Sequence, residues 1–286
     1  MRARILLSLV LIGVAAVAAA TQAPSKKRLL FLTHAGLYKH TSLGPAEKAV
    51  AELGQAGGFE VTTVEGYKQD ADRIDLTFLT PEYLERFDGI MLMTNGNLPL
   101  APAQRKSLLQ FVADGHAFIG AHCAALTFYD DPAFGEMLGG YYRRSIRQNA
   151  IAVLKVEEPN HPATRMLGGS WPLVDEFYLF GTAPWDASRP KDNIDVLFGN
   201  HIPMGFSRDR VHVLLSLDTD RTNIEGFAPR ANVRKGGDYP QSWWRNWGKG
   251  RVFYTSLGHL PETWTNDSTF RAHLTGGIRW ALGLEN

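Results

Sequence analysis

Apolar residues in the first half of the chain fall in short unbroken runs, at residues 28–33, 59–64, 89–93 and 117–120. An unbroken apolar run of this length marks a strand covered on both faces, as in a parallel sheet. Between the runs the period changes. Residues 45–56 read as a helix with Pro45 in its first turn and Gly57-Gly58 as its stop. Residues 81–85 read as a short helical turn. Residues 102–114 predict an amphipathic helix with Leu108, Leu109, Phe111 and Val112 on one side and Gly115 beyond its end. This rhythm predicts an α/β fold, a doubly wound, flavodoxin-like and mostly parallel sheet with right-handed crossovers.

The second half is less regular. Strands are expected at 150–156, 194–198, 211–217 and 251–256, separated by segments rich in Pro, Gly and Trp, of which 236–250 reads as a loop. A final helix at 268–282 places Phe270, Leu274, Ile278 and Ala281 on one face. Gly276 and Gly277 inside it cost roughly 1 kcal/mol each relative to Ala, so a neighbour is expected to pack closely there. Residues 28–284 are expected to form one α/β domain with a loop-rich second half.

Residues 1–20 stand apart: Arg2 and Arg4, then an apolar stretch, then Ala18-Ala19-Ala20. That is the composition of a signal peptide, with a second small-residue cleavage point after Ala23, and 21–27 reads as a linker. A periplasmic or secreted protein follows, with no membrane anchor after signal cleavage, since no other run is long enough to span a bilayer. The 286 residues are 44% hydrophobic and 21% charged, as in a soluble globular protein. A net charge of +1 gives no global field to recruit nucleic acid or anionic membrane. The one basic cluster, Arg143, Arg144 and Arg147, reads as a solvated face or a substrate rim. Cys123 is the only cysteine, which excludes an intramolecular disulfide. The composition leaves room for a homo-oligomer.

Chemistry enters at Gly120-Ala121-His122-Cys123-Ala124, where a strand runs into a turn of small residues. Such turns hold one side chain above the carboxyl edge of a sheet in a strained backbone conformation. The central residue here is His122, with the cysteine displaced by one position. This argues against a thiol hydrolase, and Cys123 reads as a small buried hydrophobe. His40 follows the first strand and His259 follows the strand at 251–256. Loops after parallel strands meet at one sheet edge, so His40, His122 and His259 are candidate ligands for Zn²⁺, Mn²⁺ or Fe²⁺. Without metal the same three would serve as general acid, general base and orienter.

Asp175 and Glu176 are adjacent, and in an extended segment only one can face a site. That one would complete a metal sphere or act as general base, so His122, Glu176 and His40 are the candidate catalytic residues. Candidate substrate contacts are Tyr142, Arg143, Asp175 and one tryptophan of the 236–250 segment, for which Trp243 is taken, with Trp244 and Trp247 as packing. Asp130 and Asp131 read as caps for a helix starting at Pro132.

Several motifs occur together: Tyr38-Lys-His40-Thr-Ser42, Gly120-Ala-His122-Cys-Ala, Thr127-Phe-Tyr-Asp130, Phe134-Gly-Glu-Met-Leu-Gly-Gly140, His161-Pro-Ala-Thr164, Asp175-Glu176-Phe-Tyr178, Gly258-His259 and Gly276-Gly-Ile-Arg-Trp-Ala281. From about Arg28 to the C-terminus the chain resembles the ThuA-like (trehalose utilisation) family. The resemblance implies a class I glutamine amidotransferase-like fold without the amidotransferase cysteine. It also implies a sugar-related role beside oxidoreductases that make 3-keto-glycosides. One departure is Ser145, near the place where such proteins often carry a histidine. The expected function is an exported protein processing oxidised, trehalose-like glycosides by metal-assisted elimination, hydrolysis or isomerisation. A small carbohydrate is the expected partner, and no nucleotide cofactor is expected. A non-catalytic sugar-binding protein using the same crevice is the alternative, and a residual amidohydrolase built on Cys123 is a third.

Overall fold

The computed structural model describes residues 25–69, 74–181, 205–227 and 232–286. The expected signal segment and the strand expected at 194–198 lie outside the described residues. Helices and strands alternate through the first half: β1 (Lys27–Ala35), α1 (Leu43–Gly57), β2 (Phe59–Glu65), α2 (Pro81–Leu84), β3 (Gly89–Gly96), α3 (Pro102–Ala113) and β4 (Ala117–Ala121). The short β5 (Leu126–Thr127) and α4 (Pro132–Leu138) follow, and Asp131 caps α4 by accepting from the Ala133 and Phe134 amides. The second half carries β6 (Tyr142–Ser145), β7 (Ala150–Val156), β8 (Ser170–Asp175), β9 (Tyr178–Phe180), β10 (His212–Leu217), β11 (Pro240–Trp247), β12 (Gly250–Thr255), α5 (Pro261–Thr265) and α6 (Ser268–Ala281).

The main sheet has the order β2-β1-β3-β4-β12-β11-β10-β7-β8, with β5 paired to β3. From β2 to β12 the pairs are parallel, and from β12 to β8 they are antiparallel. Along β1 and β3 the unbroken apolar runs divide by alternation. Leu29, Phe31, Met91 and Met93 pack with α1, α5 and α6, while Leu30, Leu32, Ile90 and Leu92 pack with α2, α3 and α4. Both faces are covered, which is why these strands need no polar positions.

The antiparallel half corrects one expectation and adds one strand. The segment 236–250 is not mainly a loop. Its central part is β11, an interior strand between β12 and β10, whose first half through Trp243 is buried by its neighbours while Trp244 and Trp247 are half-buried. A further strand, β8, went unread because Pro172 interrupts it. It is the edge of the sheet, with Trp171, Leu173 and Asp175 inward and Pro172 and Val174 outward, and inside a strand an edge position tolerates a residue with no donor for the ladder.

The glycines of α6 have the neighbours expected of them. A Cβ on Gly276 would lie 2.0 Å from the Pro162 carbonyl oxygen, and one on Gly277 would lie 2.3 Å from the Phe253 ring. The helix therefore lies against β12 and the 161–164 turn at backbone distance. That approach fixes the loop leaving β12, which carries one of the site histidines.

Candidate metal centre

His40, His122 and His259 follow β1, β4 and β12, three parallel strands whose carboxyl ends lie on one edge of the sheet. Glu176 reaches the same place from the other half of the molecule, between β8 and β9. All four side chains are buried, and one ligand atom from each lies within 4.8 Å of the others.

His122 is the hub. Its backbone has φ of +44°, a left-handed conformation rare for a side-chain-bearing residue and costing roughly 1 kcal/mol or more. Its carbonyl accepts from the Tyr254 hydroxyl at 2.8 Å. Nδ1 lies 2.7 Å from the Ser256 carbonyl, which can only accept, so the ring proton sits on Nδ1 and Nε2 presents a lone pair. Around that lone pair stand His40 Nε2 at 3.2 Å, His259 Nδ1 at 3.3 Å, Glu176 Oε2 at 3.4 Å and the Tyr178 hydroxyl at 3.0 Å. His259 Nδ1 is also 3.0 Å from Glu176 Oε2.

Burial pushes the His122 imidazole well below its ordinary basicity, and the neighbouring His40 and His259 add to the effect. Burial likewise brings His40 down to about 4, with His259 lowering it further and Glu176 opposing. These rings are neutral near pH 7, which is the form that ligates metal. Ligands on one ion with bonds of about 2.0–2.1 Å sit about 3.0–3.4 Å apart; the three separations from His122 Nε2 and the one between His259 and Glu176 fall in that range, within a group that spans up to 4.8 Å. The donor set, three buried imidazoles and one buried carboxylate, fits Zn²⁺, Mn²⁺ or Fe²⁺.

The residues behind the cluster fix its orientation. Asp175 turns away from Glu176 and is fully buried. Its Oδ1 accepts from the Glu176 and His259 amides at 2.8 and 2.9 Å, and Oδ2 from the Gly258 amide at 2.8 Å and the Thr263 hydroxyl at 3.3 Å. Burial raises this carboxyl to about 6, against the lowering effect of the amide donors. The buried Gln241 accepts from the Tyr178 amide at 3.2 Å and the Ser256 hydroxyl at 2.6 Å, and donates to the Tyr178 carbonyl at 2.8 Å. One amide side chain thus registers both the phenol and the residue whose carbonyl orients His122.

The chain and its fold have counterparts among known proteins. The model of the ThuA family, described as trehalose utilisation, matches residues 28–201 and 198–281. The chain belongs to the ThuA family. Among solved structures it is similar to a ThuA-like protein from Bacteroides uniformis, with 22% identity and TM-score 0.60 over 92% of this chain and 94% of that one. A ThuA-like protein from Parabacteroides merdae gives 16% identity and the same TM-score of 0.60, over 91% of each chain. At such identities these two likenesses speak for the fold. No curated protein matches the sequence.

In this ThuA-family chain the remaining candidates are placed as follows. Glu176, not Asp175, turns into the cluster, and Asp175 is a buried anchor with no surface for a substrate. Trp243 is 0% exposed and corrects the expectation of a ligand-lining tryptophan. Its Nε1 donates to the Leu138 carbonyl at 2.7 Å, and its ring packs among Phe180, Phe206 and Tyr254. Trp244 stacks on His212 and donates to Glu158. Tyr142 is half-buried on β6, its ring 4.6 Å from that of Tyr178. Arg143, beside it, lines a cavity of about 400 Å³ with Arg144, Phe180, Phe206 and Tyr239. Ser145 pairs with Tyr178 across the β6–β9 ribbon, and the four-residue group forms without it. Cys123 is fully buried and burial pushes its thiol up to about 12, so no thiolate nucleophile is present near neutral pH. Tyr178 and Gln241 were missed as site residues. Tyr178 carried a readable signal, since it lies two positions after Glu176 in an extended segment and shares its side. Gln241 carried none.

Proposed function

We propose that this protein is an exported enzyme of carbohydrate metabolism that holds one divalent metal ion on His40, His122, His259 and Glu176 and acts on a glycoside already oxidised to a ketone at C3. The observation that carries this reading is the convergence of those four buried ligand atoms on one point at the carboxyl edge of the sheet. The family's description as trehalose utilisation supports a sugar substrate. The apolar segment at residues 1–20 supports export.

A C3 ketone acidifies the proton at C2. A bound cation supplies a Lewis acid that stabilises negative charge on the ketone oxygen. The chain supplies the rest. Glu176 is the one carboxylate of the cluster. Its Oε2 is the oxygen engaged with His259 and His122, which leaves Oε1 to accept the C2 proton. The electron pair left at C2 expels the C1 substituent as an alcohol, which takes up a proton. Water then adds at C1 as the proton returns to C2, and the sum is hydrolysis of the keto-glycoside. The neutral Tyr178 phenol, its pKa raised well above the ordinary by burial and the Glu176 charge, keeps its proton and can donate a hydrogen bond to oxygen in the pocket.

The test is consumption of trehalose oxidised at C3 by the purified mature protein, before and after metal removal by a chelator. Activity is expected to fall to about a hundredth and to return with one of Zn²⁺, Mn²⁺ or Fe²⁺. Turnover unaffected by complete metal removal contradicts the metal role, and no turnover of any 3-keto-glycoside contradicts the reaction.

A further inference from the structure

Four large apolar side chains stand exposed among the described residues: Tyr38, Ile151, Met166 and Val174. Ile151 and Val174 face each other across β7 and β8 at the sheet edge, away from the chemistry. Tyr38 is the one aromatic ring of the four, at 44% exposure, and it stands over the histidines. Its ring centroid is 4.7 Å from that of His40 and 6.5 Å from that of His259, nearly parallel to the latter at 19°. Its hydroxyl makes no hydrogen bond among the described residues.

An exposed ring gains little from its own burial, yet its backbone is tied down by a buried side chain. The buried Asn95, near the end of β3, accepts from the Leu37 amide at 2.6 Å and the Tyr38 amide at 3.0 Å, and donates to the Tyr38 carbonyl at 2.8 Å. The Gly36 amide donates to the Asn95 carbonyl at 3.0 Å. Two glycines let the segments touch. A Cβ on Gly36 would lie 2.7 Å from the Asn95 carbonyl oxygen, and Gly96, at φ of +83°, faces the Gly36 backbone. The fold therefore spends a buried amide and two glycines on fixing the backbone that carries this exposed ring beside the centre. Fixing a contact before the ligand arrives lowers the ordering cost of binding.

We infer that Tyr38 is the stacking platform for the pyranose ring of the substrate. The ligand class is a gluco-configured sugar, whose equatorial hydroxyls leave axial C–H bonds as an apolar ring face. That face lies on the phenol ring, while the polar edge of the sugar is directed to His40, His259 and Glu176. This deepens, and rests on, the carbohydrate reading above. Tyr38 binds substrate without moving a proton. Its loss raises KM and leaves kcat nearly unchanged, the pattern for an interaction made equally in ground and transition states.

The test uses the metal-loaded protein and its Tyr38→Ala and Tyr38→Phe variants, titrated calorimetrically with trehalose and with trehalose oxidised at C3. Metal content and Tm are measured on all three. The expected result is binding weakened about tenfold or more in Tyr38→Ala and within about twofold of the parent in Tyr38→Phe, with metal and Tm unchanged. Equal binding by Tyr38→Ala overturns the platform and leaves the sugar reading standing. A Tyr38→Phe variant as weak as Tyr38→Ala also overturns it, because the hydroxyl and not the ring face would carry the contact. Metal lost from Tyr38→Ala assigns the residue to the integrity of the centre instead. No binding of either sugar by the parent protein overturns the carbohydrate reading, and this inference with it.

Discussion

His161 and His273 are buried like His40 and His122, and burial lowers all four; His40, His161 and His273 each come down to about 4. What separates the two groups is where the ring nitrogens go. His273 Nδ1 lies 2.7 Å from the Ala163 carbonyl and Nε2 lies 3.3 Å from the Thr255 hydroxyl. His161 Nδ1 accepts from the Ala163 amide at 3.1 Å, and its ring packs against Trp244 and Trp280. These two hold the 161–164 turn against α6 and β12. In the other group the nitrogens meet each other and a carboxylate. Lowered basicity marks burial in both places, and only the convergence of lone pairs marks a centre able to bind a cation.

The structural histidines give the larger effect on stability. His273 has a folded pKa of about 4 against 6.5 in the unfolded chain. As pH falls from about 6.5 to about 4 the unfolded chain takes up a proton that the folded one refuses, so stability is lost on acidification, by about 3 kcal/mol from this residue. His273→Asn is expected to be less stable than the parent at pH 7 but to lose about that much less between pH 7 and pH 4, with metal content unchanged. Urea unfolding at the two pH values checks this. An equal acid loss in both proteins would show that His273 is solvated in the folded state.

A smaller effect is expected behind the centre. Asp175→Asn replaces an oxygen that accepts from main-chain amides with a group that donates, loosening the Gly258-His259 turn. Metal affinity, measured by chelator competition, is expected to fall about 10- to 100-fold. Unchanged affinity would mean that the turn is set by α5 and α6 alone.

The same contrast explains what could be read from the chain. The parallel strands were legible because burial on both faces leaves unbroken apolar runs, and strand ends then locate His40, His122 and His259. The antiparallel half was not. Pro172 and the Gly- and Trp-rich surroundings of β11 imitate loops, and only the neighbouring strands make β11 an interior strand. Alternation showed that one of Asp175 and Glu176 must face inward. Which one depends on the Gly258, His259 and Thr263 donors, more than 80 residues away. Trp243 was misread for the same reason, since Leu138 and Phe180 bury it from distant parts of the sequence.

The most direct test of the proposed metal centre is the metal content of the untagged protein by mass spectrometry, beside His122→Ala and His273→Asn. The account predicts about one divalent ion per chain in the parent and in His273→Asn, and less than about a tenth of that in His122→Ala. No ion in the parent after reloading, or an ion retained by His122→Ala, would contradict it.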